Sequence, residues 1–285
     1  MPHLLAATDF SSRSHRALRR AGIVARQAEA DLTIVHVVED DQPQAMIDLE
    51  RREAERYLGE QIATLAELRG LRCRPVATTG EASDGVLRIA KEVAADLIVM
   101  GSHRKQLFRD IFIGTTLERV VRSGPTPVLM VNASADHSYR KVIAAVDLSE
   151  PSAHAVAAAS RLTLLDGADV TVLHAFEPAA KAQMTLADAA TADIDDYVAG
   201  ERHRAEGALA VFLTQQRLSA EGWRQRVAEG GAIDVIARAL ATDAPDLVVV
   251  GTHGRTPIVK ALIGSVAEEA LRTLDVDILA VPPPR

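Results

Sequence analysis

The chain holds one cysteine in 285 residues, Cys73, so an internal disulfide and any cysteine-based zinc cluster are excluded. A single thiol suits a reducing compartment. Aromatic residues make up only 3% of the chain, so its cores must be built from Ala, Val, Leu and Ile. No apolar run reaches the roughly 20 residues that a membrane-spanning helix requires. The first strand-like run, Leu4 to Thr8, follows the N-terminus at once, which leaves no room for a signal peptide and leads us to expect a cytoplasmic protein. A net charge of −7 argues against a general nucleic-acid or anionic-membrane surface. Several chemical signatures are also missing. There is no Gly-x-Ser-x-Gly elbow, no Walker-type Gly-Lys-Ser/Thr and no Gly-x-Gly-x-x-Gly fingerprint. No nucleophile and base stand at a spacing that would pair them, so an efficient catalytic machine is unsupported.

What is present is a duplication. Ala6, Asp9, Ser11 and Ser14 return as Ala144, Asp147, Ser149 and Ser152, an offset of 138 that also carries Thr33 and His36 onto Thr171 and His174. Beyond these strands the offset becomes 150, because the second half has twelve extra residues. Gly80, Asp84, Asp96 and Gly101 then match Gly230, Asp234, Asp246 and Gly251. Two domains are expected, 1–134 and 139–285, with a polar seam over Ala133 to Tyr139.

In each copy, continuous apolar runs alternate with helical patterns, as in a parallel sheet covered on both faces. The runs are Leu4–Thr8, Leu32–Val38, Cys73–Thr78, Asp96–Met100 and Pro127–Val131. In the second copy they are Val142–Val146, Val170–Ala175, Arg224–Ala228, Leu247–Val250 and Asp277–Val281. Ser11 and Ser149 sit where helix N-caps belong. A stripe from Ile194 to Leu213 predicts a long helix. Ala179 to Asp193, rich in Ala, Thr and Asp, reads as a mobile flap or a frayed helix start.

The residues that carry chemistry lie after the fourth run of the second copy. Gly251, Thr252, His253 and Gly254 follow a buried strand, and Gly264 and Ser265 open a helix. Glycine admits close backbone approach and positive φ. The helix start adds free N–H groups and the positive end of its dipole, which together form a cradle for phosphates. Ligands of open parallel sheets collect at the carboxyl ends of the strands, and Asp147 and Ala175 fall on that edge too. Asp147 is placed to accept hydrogen bonds from ribose hydroxyls, to favour the following helix dipole, or both. Asp9 is its counterpart.

In the first copy, Gly101, Gly114 and Thr115 repeat the pattern, but Arg104 stands where the second has Gly254. A side chain there is strained by roughly 1 kcal/mol if the position needs positive φ. It either fills the phosphate space or binds phosphate itself, and Lys105 and Arg109 keep the loop basic in both cases. Arg255, just outside the second glycine of the intact copy, is placed to screen phosphate charge. His36, His174, His103 and His253 recur in register, but none stands at a metal-ligand spacing, and they read as hydrogen-bonded structural histidines.

On these residues the chain resembles a tandem universal stress protein of the UspA superfamily over its full length. The resemblance rests on Asp9 and Ser11, Asp147 and Ser149, His36 and His174, and Gly101 and Gly251. The second copy also completes Gly-x2-Gly-x9-Gly-Ser with Gly251, Gly254, Gly264 and Ser265. The resemblance implies two Rossmann-like domains of the adenine nucleotide alpha hydrolase type, each a five-stranded parallel sheet with helices on both faces. It implies ATP, with or without Mg²⁺, as the ligand: Asp147 at the ribose, the backbone near Ala175 at the adenine, and Gly251, Gly254, Arg255, Gly264 and Ser265 about the phosphates. Asp9, Val37, Gly101, Gly114 and Thr115 make a second, altered site. Pairing of the two last strands would form an intrachain pseudo-dimer, with a further homodimer left open. A regulatory protein would then read the bound nucleotide. Two other functions stay open: a slow ATPase or autophosphorylating enzyme using Ser265, Ser149 or bound water, and a scaffold with vestigial pockets.

Overall fold

The computed structural model describes residues 1–102, 115–134, 136–218, 222–254 and 263–284. Each half repeats one α/β unit. The first runs β1 (His3–Ala7), α1 (Ser12–Gln27), β2 (Asp31–Val38), α2 (Gln44–Thr64), β3 (Cys73–Thr79), α3 (Ala82–Glu92), β4 (Leu97–Gly101), α4 (Thr116–Ser123) and β5 (Val128–Val131). The second runs β6 (Lys141–Ala145), α5 (Glu150–Arg161), β7 (Asp169–Phe176), α6 (Lys181–Leu186), α7 (Thr191–Gln215), β8 (Arg224–Glu229), α8 (Ala232–Asp243), β9 (Leu247–Gly251), α9 (Ser265–Thr273) and β10 (Asp277–Val281).

The strands form one sheet of ten in the order β3-β2-β1-β4-β5-β10-β9-β6-β7-β8. Within each half all neighbours are parallel, and the halves meet where β5 and β10 pair antiparallel, Leu129 opposite Leu279. Successive side chains of a strand point to opposite faces. Leu129, Val131, Leu279 and Val281 therefore enter the core under α1, α2, α5 and α7. Val128, Met130, Ile278 and Ala280 enter the other core, under α3, α4, α8 and α9. Both cores run unbroken through the seam. This is why the strand runs are continuously apolar rather than alternating.

Ser11 and Ser149 cap α1 and α5 by accepting from the N–H of Ser14 and Ser152. The Ala179–Asp193 stretch is neither a flap nor a frayed end. It contains α6, turned against α7, with the Ala180 N–H donating to the Tyr197 hydroxyl at 3.1 Å. The Lys181 ammonium reaches Glu229 at 2.6 Å, tying this extra helix to the end of β8.

Strand order reverses between β1 and β4 in one half and between β6 and β9 in the other. The two crevices at the carboxyl ends of these strands are where ligands of such sheets bind.

Candidate functional site

Asp147 follows β6 at the second reversal point. The residue after it, Leu148, holds φ at +64°, a left-handed conformation that costs a side-chain residue about 1–2 kcal/mol. Leu148 packs against the core, and that packing holds the strained turn in place. The turn aims the Ser149 N–H back at the Asp147 carboxylate, 3.1 Å away, and the Ser149 hydroxyl meets the same oxygen. Phe10 repeats the turn after Asp9, with φ at +59°. There the Ser11 N–H donates to the carboxylate at 3.0 Å. Burial pushes the Asp9 carboxyl up, but hydrogen bonds from Ser11 and Ser14 outweigh it and hold the group below the ordinary carboxylate range. Both positions are thus built to keep an oriented acceptor at the strand end.

A cavity of about 300 Å³ opens beside Asp147. Of the residues expected from sequence, Asp147, Ala175, Gly251, Gly254, Gly264 and Ser265 all line it. Arg255 lies outside the described residues. The apolar side chains of Leu173, Val235, Ile236 and Val250 also line the cavity. Sequence reasoning missed the α8 pair Val235 and Ile236, and also Ser152. Ser152 recurs in register with Ser14, and that was the available signal.

The glycines work by closeness, not by φ. The left-handed glycines among the described residues are Gly70, Gly80, Gly167, Gly222 and Gly230, so positive φ is not what Gly251, Gly254 or Gly264 supplies. A Cβ on Gly254 would sit 2.7 Å from Asp147 Oδ2, closer than real side-chain contacts allow. Glycine at 254 lets the loop lie directly against the carboxylate. A side chain at this position meets no φ strain; its obstacle is the Asp147 carboxylate. Gly264 is the N-cap of α9 and brings no side chain, so Ser265, Val266 and Ala267 present the open helix start to the cavity.

The first half holds a cavity of about 280 Å³ lined by Asp9, Val37, Gly101 and Thr115. Gly114, together with His103, Arg104, Lys105 and Arg109, lies outside the described residues. This cavity differs at its helix start, because Thr115 caps α4 with its own hydroxyl, which accepts from the Glu118 N–H at 3.1 Å. Its rim also carries Arg13, at the position of Pro151 in the second half.

His36 and His174 each put Nδ1 on the carbonyl just past the first strand of their half, Thr8 at 2.8 Å and Val146 at 2.9 Å. They brace the turns that carry the two aspartates. His253 lines the second cavity with Nδ1 3.0 Å from the Thr252 hydroxyl. Among the described residues no group of His, Cys, Asp and Glu could hold a metal ion, and no helix is long and apolar enough to cross a membrane.

The universal stress protein family model matches twice, over residues 1–132 and 138–282. Universal stress protein YxiE of Bacillus subtilis is 27% identical over 143 residues, covering 45% of this chain and 97% of that one. Universal stress protein MJ0577 of Methanocaldococcus jannaschii is 31% identical over 62 residues, which span 22% of this chain and only 38% of the relative. The crystal structure of a universal stress protein from Archaeoglobus fulgidus superposes with a TM-score of 0.72 at 15% identity, covering 99% of this chain and 98% of the other, and so shares its fold. The double match, the duplicated sheet and the repeated strand-end aspartates agree: this chain belongs to the universal stress protein family, with two such domains in tandem.

Proposed function

We propose that the domain spanning 139–285 binds ATP and that the protein acts as a nucleotide-dependent regulator in the cytoplasm. The observation that carries this reading is the apposition of Gly254 and Asp147. One cavity offers an oriented carboxylate for ribose hydroxyls, an apolar lining for a base and an uncapped helix start for phosphate. The glycine at 254 is the residue that lets these approach one another. Asp147, Ala175, Gly251, Gly254, Gly264 and Ser265 are assigned to the nucleotide, with Arg255 outside the described residues.

Binding rather than turnover fits the hydroxyls at hand. Ser149 is engaged as the cap of α5, accepting from the Ser152 N–H and meeting Asp147, so its oxygen serves the turn. The 1–134 domain retains the carboxylate and the cavity but has its phosphate-side helix already capped by Thr115, and we assign it the weaker site.

The test is the nucleotide stoichiometry of the protein as isolated, followed by thermal melting with ATP. A ligand at 100 times its Kd stabilises the folded state by about 2.7 kcal/mol. No rise in melting temperature with millimolar ATP would overturn the proposal. Steady phosphate release that disappears when the Gly254 loop is altered would replace it with an enzymatic one.

A further inference from the structure

A buried charge cluster sits at the seam between the halves, away from both cavities. Asp277, the first residue of β10, is fully buried, and Arg20 of α1 is 3% exposed. Arg20 Nε donates to Asp277 Oδ2 at 3.2 Å, and its Nη1 donates to the His137 carbonyl at 2.7 Å. The Tyr139 hydroxyl donates to the same Asp277 oxygen at 2.8 Å, and the guanidinium lies 4.1 Å over the Tyr139 ring. The other Asp277 oxygen accepts the N–H groups of Asn132 and Ala133, at 2.8 and 3.0 Å. The cluster thus joins the first half, the linker and the second half in one hydrogen-bonded unit.

Among the described residues, nothing like it lies on the other side of the pseudo-twofold axis. By the repeat offsets, Arg20 corresponds to Ala158 and Asp277 to Pro127. The strands it flanks carry little information of their own: Val-Leu-Met-Val and Ile-Leu-Ala-Val pair over three residues, with apolar side chains on both faces. Such an edge accepts other edges readily, including those of a second copy of the chain. If β5 paired with β5 of another chain, each Arg20 would face Pro127. If β10 paired with β10, each Asp277 would face Ala158. Either self-pairing buries two charges without partners, which is strongly unfavourable. Only the pairing of β5 with β10 lets both charges meet.

We propose that the Arg20–Asp277–Tyr139 cluster is a pairing-specificity device, which directs each β5 edge to a β10 edge and bars self-pairing of either half with a second copy. The best-attested use of buried polar groups is of this kind, fixing partner and register rather than adding stability.

Charge exchange between chains tests it. Full-length Arg20→Glu and Asp277→Arg variants, carrying different affinity tags, are unfolded and refolded separately and together. Alone, each variant opposes like charges at the seam whether it pairs within or between chains. Together, a strand-exchanged dimer restores one Glu–Arg seam and one native seam. The expected result is at least about tenfold more mixed-tag dimer on co-refolding than self-dimer from either variant alone. The double variant Arg20→Glu/Asp277→Arg and the unaltered chain should both refold without mixed-tag species. No excess of mixed-tag dimer, including because neither variant folds in the presence of the other, overturns the proposal. So does a double variant as misassembled as the single ones.

Discussion

Replacing Gly254 by alanine isolates the contact on which the nucleotide site depends. The added Cβ would lie 2.7 Å from Asp147 Oδ2 and 3.8 Å from its Cγ, with nothing else among the described residues within 4 Å. Because the backbone at 254 is not left-handed, the substitution carries no φ penalty there. The clash falls on the carboxylate, which has to rotate or retreat by several tenths of an ångström. That movement weakens the bonds from the Ser149 N–H and hydroxyl and takes the acceptor away from a ribose. A hydrogen bond to a charged group is worth about 1.5–3 kcal/mol, so losing one from the complex lowers ATP affinity by roughly 10- to 150-fold. Folding should change by less than about 1 kcal/mol, since the loop is not core. Calorimetric titration gives the affinity, and melting without nucleotide gives the fold. Asp147→Ala supplies the control. In that background Gly254→Ala should cost almost nothing further, because the atom it strikes is gone, so the two effects are non-additive. An alanine variant that binds ATP within about twofold of the parent would refute the reasoning, as would full additivity in the double variant.

Other outcomes follow from the same geometry. Gly254→Arg, which copies the first half, should abolish most nucleotide binding; a titration still showing one full equivalent per chain would place the nucleotide elsewhere. Asp277→Ala leaves the Arg20 guanidinium buried without its carboxylate and should cost about 3–5 kcal/mol in a urea melt, far more than removal of an exposed ion pair. The Asp9 carboxyl is held below its ordinary value in the folded protein, so its stabilising contribution is present above the unfolded carboxylate range near pH 4 and is lost as pH falls through the folded value. Asp9→Asn should therefore flatten the acid limb of the stability profile, and an unchanged limb would sink that assignment. Ala244 ends α8 with φ at +45° and is exposed, so Ala244→Gly should stabilise the chain by about 0.5 kcal/mol as relief of left-handed strain outweighs lost chain stiffness. A lower melting temperature would contradict it.

Self-similarity made most of the fold legible. Two offsets placed every strand within a residue or two, because positions shared by both copies are those the unit cannot change: the strand-end aspartates, the capping serines, the bracing histidines. Gly80 and Gly230 match because each turns at nearly the same positive φ, +124° and +126°. The strained turns at Phe10 and Leu148 were not legible. An apolar residue gives no local sign of a left-handed backbone, and core packing from distant elements is what enforces it. Of the two reasons expected for the cavity glycines, close approach holds and positive φ does not. Spacing reveals that a backbone must come close to something, but the thing approached, Asp147, lies 107 residues earlier and only the fold supplies it.

The duplication that exposed the fold also hid what distinguishes the halves. Comparing copies draws attention to matches, and the seam is built from mismatches. Arg20 stands where its twin has alanine, and Asp277 where its twin has proline, 257 residues apart in the chain. The same holds at the cavities, where Gly254 against Arg104 and Pro151 against Arg13 are departures from the repeat, while the repeated Gly-Thr and Gly-Ser pairs cap their helices one residue apart, at Thr115 in one half and Gly264 in the other. Once a domain is duplicated, its shared residues are committed to one sheet and one crevice. The positions free to diverge then decide which crevice takes the ligand and which edge finds its partner. In this chain two such sets lie at the phosphate end of the cavities and on one side of the seam. Substitutions there should alter binding or pairing while leaving each five-stranded unit intact.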